Sequence, residues 1–167
     1  GLKLRINGGK MKHNADSSIT VSALEAYNNY YLDFDRNSFD NIAWQIQKHT
    51  YNITIEPNHF RTIEVPVSVM NEIAGMVYLK ENDNQKGLGR ILINIYKDSI
   101  LVTKLLTEPD GYVSFMGLKP GTYKVEPDKD QLAKLYMTSS ASVTVTINSS
   151  KDGDVKDSLQ FICENAN

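Results

Sequence analysis

Apolar residues in this chain recur at every second position, in one short run after another. Ile19/Val21, Tyr30/Leu32/Phe34, Tyr51/Ile53/Ile55, Ile63/Val65/Val67 and Val77/Leu79 follow this rule. So do Ile91/Ile93/Ile95, Val113/Phe115, Tyr123/Val125, Val143/Val145/Ile147 and Leu159/Phe161. Side chains of an extended strand point alternately to its two faces, so a period of two puts one face in a core and the other outside. Turn formers separate the runs: Gly8-Gly9, Asn58, Asn82 to Asn84, Asp98-Ser99, Pro109-Asp110-Gly111, Pro120-Gly121 and Asp152-Gly153. Their spacing of roughly 8–12 residues is that of a sandwich or barrel. The expected fold class is all-β, built as two small sandwich-like units.

Two segments interrupt this pattern. Ser38 to Gln47 carries Ile42, Trp44 and Ile46 at a spacing of two, so a turn of helix, a bulged strand and a loop all remain open. Asp128 to Leu135 pairs Leu132 with Leu135 behind a possible Asp cap, which predicts one short turn of helix. Composition shifts near residue 70: Asn, Tyr, all three histidines and the only Trp crowd the upstream part. The expected division is 1–70 for an N-terminal β unit and 71–167 for a β-sandwich.

Charge and cysteine content exclude several classes of function. The chain has 167 residues and a net charge of −2, with Lys and Glu interspersed, which argues against nucleic acid and against a polybasic membrane patch. A single cysteine excludes an internal disulfide or a Cys-based zinc site. Cys163 falls in the alternating run Leu159, Phe161, Cys163 and reads as a small buried hydrophobe. No run reaches the roughly 18 apolar residues of a membrane-spanning helix. Gly1 in place of Met points to a segment cut from a longer chain.

No catalytic constellation emerges, and neither a cofactor nor a metal is expected. His13, His49 and His59 are scattered, without metal-ligand spacing. Asp33/Asp35, Asp152/Asp154/Asp157 and the Glu81 to Gly87 loop lack the Asp-x-Asp-x-Asp-Gly frame that wraps calcium. Gly87-Leu-Gly89 lacks a third glycine and leads into a strand, so it is no dinucleotide site. Exposed aromatics are the remaining candidates: Tyr27, Tyr30, Tyr31 and Trp44 could form a platform that anchors a protein or stacks on a sugar.

Two resemblances sharpen the expectation. Gly75 to Lys80, Gly87 to Tyr96, Thr107 to Phe115 with its Asp110-Gly111, and Gly117-Leu-Lys-Pro-Gly-Thr-Tyr-Lys-Val125 resemble a carboxypeptidase-regulatory-like, prealbumin-type or Cna B-type sandwich. This implies a seven-strand Ig-like scaffold, which hosts many functions. Asp110-Gly111 reads as a tight hairpin, and Leu118 should tuck under a sheet edge. Such domains carry a Lys–Asn crosslink promoted by a buried Glu, but Glu126 is offset by one from the matching position, which turns it away from Lys80. No crosslink is expected.

Upstream, Ser22 to Asp35 with Leu24, Tyr27, Leu32 and Asp33, then Ile55-Glu-Pro57, then Glu64-Val-Pro-Val67, is similar to the C-terminal region of outer-membrane ushers. That resemblance implies a Gram-negative periplasmic or outer-membrane location, and a role in receiving chaperone-bound subunits during fibre assembly. Tyr30, Tyr31, Phe34 and Tyr51 could then supply a barrel's aromatic girdle. Their strands also carry Asp, Asn, Lys and Arg, so a water-soluble first unit that does not span the membrane is the expected state. The function read from all this is non-catalytic protein recognition through strand edges and apolar surface. An accessory spacer or weak glycan-binding module of a surface protein or enzyme is the alternative.

Overall fold

The computed structural model describes residues 1–166. It is built almost wholly of strands, in two compact units, Gly1–Val69 and the remainder from Met70. In the first unit, β1 (Leu4–Ile6), β4 (Asn29–Phe34) and β6 (Thr50–Thr54) form an antiparallel sheet with β4 at its centre. Two smaller pairs accompany it: β2 (Lys10–His13) with β3 (Ile19–Ser22), and β5 (Trp44–Ile46) with β7 (Val67–Val69). One face of the sheet is buried because Tyr30, Leu32 and Phe34 alternate along β4, and they pack with Ile46, Leu24, Phe39 and Tyr51. Ser38 to Gln47 resolves as turn followed by short strand, so the period-two reading of Trp44 and Ile46 prevails over a helix. Ile63 and Val65 lie outside any strand and pack against this core from a loop.

The second unit is an Ig-like β-sandwich. One sheet has the order β11 (Ile100–Leu106), β10 (Leu92–Lys97), β13 (Gly121–Pro127), β15 (Val143–Ile147), all antiparallel. The other runs β12 (Tyr112–Leu118), β8 (Asn71–Glu81), β16 (Val155–Asn165). These seven strands make the sandwich. Short β9 (Asn84–Gly87) adds a hairpin to β8, and β14 (Met137–Ser139) pairs with β16. Between the sheets lie Val77, Ile93, Ile95, Val125, Ile147, Phe161 and Cys163, all nearly inaccessible. Burial pushes the Cys163 thiol pKa up, in keeping with a packing role.

Local chemistry explains the connections. Asp98 and Ser99 both have positive φ, the geometry of a type I′ turn, and join β10 to β11 as a hairpin. Asp110-Gly111 does something different from the expected hairpin, because β11 and β12 belong to opposite sheets. The turn therefore carries the chain across the sandwich. Glu108 N–H donates to Tyr112 O, and Gly111 N–H to Glu108 O. Gly111 combines φ +89° with a would-be Cβ only 2.3 Å from Val77 O, so a side chain has no room there.

The next connection, through Pro120-Gly121, also changes sheets. It is pinned by the Tyr123 hydroxyl, which donates to Lys119 O at 2.7 Å, while Leu118 is buried beneath the edge as expected. Asp128 caps helix α1 (Lys129–Lys134) by accepting from Gln131 N–H at 2.9 Å. Leu132 is buried, whereas Leu135 is exposed at the helix end.

Candidate interaction surfaces

The four aromatic residues singled out in the sequence do not form one platform. Tyr30 and Tyr31 are consecutive on β4 and so point to opposite faces. Tyr30 is 5% exposed; its hydroxyl accepts from Glu25 N–H at 2.8 Å. It is a core residue and is removed from the candidate site. Trp44 is half-buried, with its ring edge-on to Phe39 at 5.3 Å. Tyr27 is exposed in a tight turn at positive φ, its N–H bonded to Ile55 O. The aromatic girdle that the usher resemblance would allow is not formed, for the same reason: Tyr30 and Phe34 face the core, and Tyr51 packs edge-on against Phe34.

Tyr31 alone stands on an open sheet face. It is 61% exposed and sits cross-strand from Asn52, with Asn29 and Asp33 two residues to either side on the same face. Asn7 extends β1 beyond its last residue by accepting from Tyr31 N–H and donating to Asn29 O. The result is one ring surrounded by amides and a carboxylate.

A more extended apolar surface lies in the second unit, where sequence periodicity did not reveal it. The run Ile100-Leu101-Val102 and Leu105-Leu106 does not alternate, yet it folds as edge strand β11. Ile100, Leu101, Val102 and Leu106 are 71%, 42%, 46% and 56% exposed. A bulge between Leu101 and Thr103 leaves Val102 outside the ladder to β10. The signal that could have found this strand was a continuous apolar run between Asp98-Ser99 and Pro109, bounded by turn formers at both ends.

Beside this strip lies a polar cluster that the sequence also did not show. One carboxylate oxygen of Asp128 caps α1. The other accepts from Lys104 Nζ at 2.9 Å and from Asn94 Nδ2 at 3.0 Å. The Gln131 amide, Lys104 and Asn94 together hold the Asp128 pKa down at about 2, and Asp128 in turn raises that of Lys104. The ammonium and carboxylate are thus both charged at neutral pH.

Lys80 and Glu126 are engaged elsewhere. Lys80 pairs with Glu164 at 3.2 Å, and Glu126 with Lys124 at 2.9 Å and Lys129 at 3.7 Å. Tyr96, Lys124, Glu126, Thr122 and Thr144 line an open groove of about 510 Å³ on the same sheet. Among the described residues, no group of three or more His, Cys, Asp or Glu is placed to hold a metal ion. His49 meets Asp33 at 3.5 Å and His59 meets Glu56 at 3.9 Å, both at the surface. No helix of the described residues is long and apolar enough to cross a membrane.

No known family and no curated protein matches the sequence. Among solved structures, the chain is similar to GBS52, the minor pilin of Streptococcus agalactiae. Identity there is 12%, coverage is 93% of this chain and 67% of the other, and the TM-score is 0.43. It is similar to the Bacillus anthracis TIE protein at 14% identity, covering 81% and 25%, with a TM-score of 0.44. For the group B streptococcus pilus 2b backbone protein the figures are 14%, 84% and 51%, and 0.38. The chain thus spans from a quarter to two thirds of these proteins' lengths.

None of the three is described as an outer-membrane usher, so they lend no support to the usher resemblance. The residues that carried it serve ordinary packing and surface roles. Leu24 and Leu32 pack in the first core, Asp33 lies on the outer face beside His49, and Pro57 sits in an exposed turn. The strand pairing establishes an all-β protein whose second unit is an Ig-like sandwich.

Proposed function

We propose that this chain is a non-catalytic β module of a cell-surface or extracellular protein that works by binding other protein domains, as part of a surface fibre or of its assembly. The observation that carries this reading is β11: a seven-residue sheet edge whose apolar side chains face solvent. Edge strands are usually blunted by charge. The one charge of β11, Lys104, is drawn aside to Asp128 and leaves Ile100, Val102 and Leu106 uncovered. A partner gains by burying those side chains, at about 25 cal/mol per Å² of apolar area, and by pairing with the free strand edge.

The partners that fit are neighbouring domains of the parent protein or further fibre subunits. The test is titration of the chain with those domains, followed by hydrogen exchange. Protection concentrated on Ile100–Leu106, with affinity reduced at least tenfold by Val102→Lys plus Leu106→Lys at unchanged thermal stability, supports the proposal. Binding that ignores both substitutions refutes it. A chaperone-dependent, usher-like role is the narrower version and requires a long alternating barrel region upstream in the parent gene.

A second reading rests on Tyr31. One exposed ring amid Asn52, Asn29 and Asp33 matches the stacking face and hydrogen-bonding groups of a sugar, which makes a weak glycan-binding module the alternative.

A further inference from the structure

The first and last long strands of the second unit, β8 and β16, are hydrogen-bonded neighbours and run parallel. We propose that this pair is a mechanical clamp, and that the second unit is a load-bearing element resisting tension applied along the chain. Such a clamp acts whether or not β11 binds a partner.

Strand direction decides how the pair responds to force. The chain enters the unit at the N-terminal end of β8 and leaves from the C-terminal end of β16. Because the strands are parallel, these points lie at opposite ends of the pair. Tension therefore slides one strand along the other, and every hydrogen bond between them is loaded together. In an antiparallel terminal pair both points would fall at the same end, and the bonds would open one at a time.

The side chains reinforce the pair along its length. Gly75, Val77 and Leu79 are in register with Leu159, Phe161 and Cys163. Val77, Phe161 and Cys163 are wholly buried, so sliding would draw a packed row out of the core. Gly75 lets the strands approach closely, since a Cβ there would lie 2.4 Å from Leu159 O.

At the point where force enters, Asn71 is 2% exposed and bonded on both sides, to the last residue of β12 and to the residue just before β16. Its Nδ2 donates to Leu118 O at 2.6 Å and its Oδ1 accepts from Asp154 N–H at 2.9 Å. Glu72 N–H adds a bond to Asp154 O at 2.9 Å. At the opposite end Lys80 reaches across to Glu164. Both ends of the clamp are tied by side chains as well as by the ladder.

Single-molecule stretching of the full chain tests this, because the direction of pull can be changed without changing the fold. In one arm, handles are attached at the two chain termini. In the other, one handle is attached through Asp83→Cys, at the exposed turn after β8, and one at the C-terminus. The C-terminal ends of β8 and β16 lie together, so the second arm pulls the strands apart sideways. Cys163 is buried and does not compete for the handle.

Terminal loading should unfold the second unit at several-fold higher force than loading through position 83. Its step is recognised by the release of about 300 Å of chain, at ~3.3–3.6 Å per residue. Asn71→Ala should narrow that ratio. Equal forces in the two arms would overturn the clamp, as would a ratio unaffected by Asn71→Ala in a variant that retains its fold.

Discussion

Asn71 and Asp154 are 83 positions apart in sequence, yet the side-chain oxygen of the buried Asn71 accepts the Asp154 backbone N–H at 2.9 Å. The same amide donates to Leu118 O, so one side chain ties together the starts of β8 and β16 and the end of β12. Asp154 itself turns outward to accept from Asn148 N–H and to pair with Lys156 Nζ, which keeps its pKa low. A buried amide with both ends satisfied specifies register, because slippage by one residue would strand three polar groups at once.

Asn71→Ala should therefore destabilise the second unit by about 2–4 kcal/mol, because Leu118 O and Asp154 N–H each lose a partner in a buried setting. Urea unfolding followed by probes placed in each unit would show the loss in the second unit alone. A change below ~1 kcal/mol would mean that water replaces the amide.

Asp128 sets the response to acid. Its folded pKa of about 2 lies below the ordinary 3.8, so its contribution is complete at neutral pH and is lost as pH falls from about 4 towards 2. Asp128→Ala should cost about 1–2 kcal/mol at pH 7, in the range of a lost helix cap, and should flatten the stability profile in that acid window. A variant with the parent's acid profile would show that other carboxylates govern it.

Adjacent tyrosines on β4 should behave in opposite ways. Tyr30→Ala removes a core ring and should cost about 3–5 kcal/mol. Tyr31→Ala, on the open face, should change stability by no more than about 0.5 kcal/mol. If the chain binds glycans, array signals should vanish with Tyr31→Ala and survive Trp44→Ala; the reverse outcome would move the site to β5.

Gly75→Ala tests the closeness of the clamp strands. The added methyl would meet the Leu159 carbonyl, and the resulting strain should cost about 1–3 kcal/mol. Hydrogen exchange should rise along Leu159–Cys163 and stay unchanged in the first unit. A fully tolerated substitution would show that β16 can move away from β8 without loss.

Much of this molecule is legible in local pattern. Alternation at Tyr30/Leu32/Phe34, Tyr123/Val125 and Leu159/Phe161/Cys163 identifies strands and their inward faces, since the pleat allows no other assignment. Asp128 announces its helix cap through Leu132, the first apolar residue after it. Other features are not local. Asp110-Gly111 has the residues of a hairpin turn but joins opposite sheets, because tight-turn chemistry bends the chain without choosing which strand pairs next. Tyr30 and Tyr31 both read as candidate aromatics, although the alternation Tyr30/Leu32/Phe34 already puts Tyr30 on the inward face, where the structure buries it. The apolar strip of β11 escaped a search for alternation, because an edge strand carrying apolar residues on successive positions has no period.

Residue order alone determined the all-β class and the short helix after β13, since each depends on propensity, spacing and residue type within a few positions. Only the tertiary structure decided that β8 and β16 lie side by side in parallel, that Asp128 gathers Lys104 and Asn94, and that β11 is left at an edge. The first two of these relationships join residues from 24 to 84 positions apart. Strand pairing at that range is settled by how the two sheets fill their shared core, a global packing condition that no local window of sequence contains.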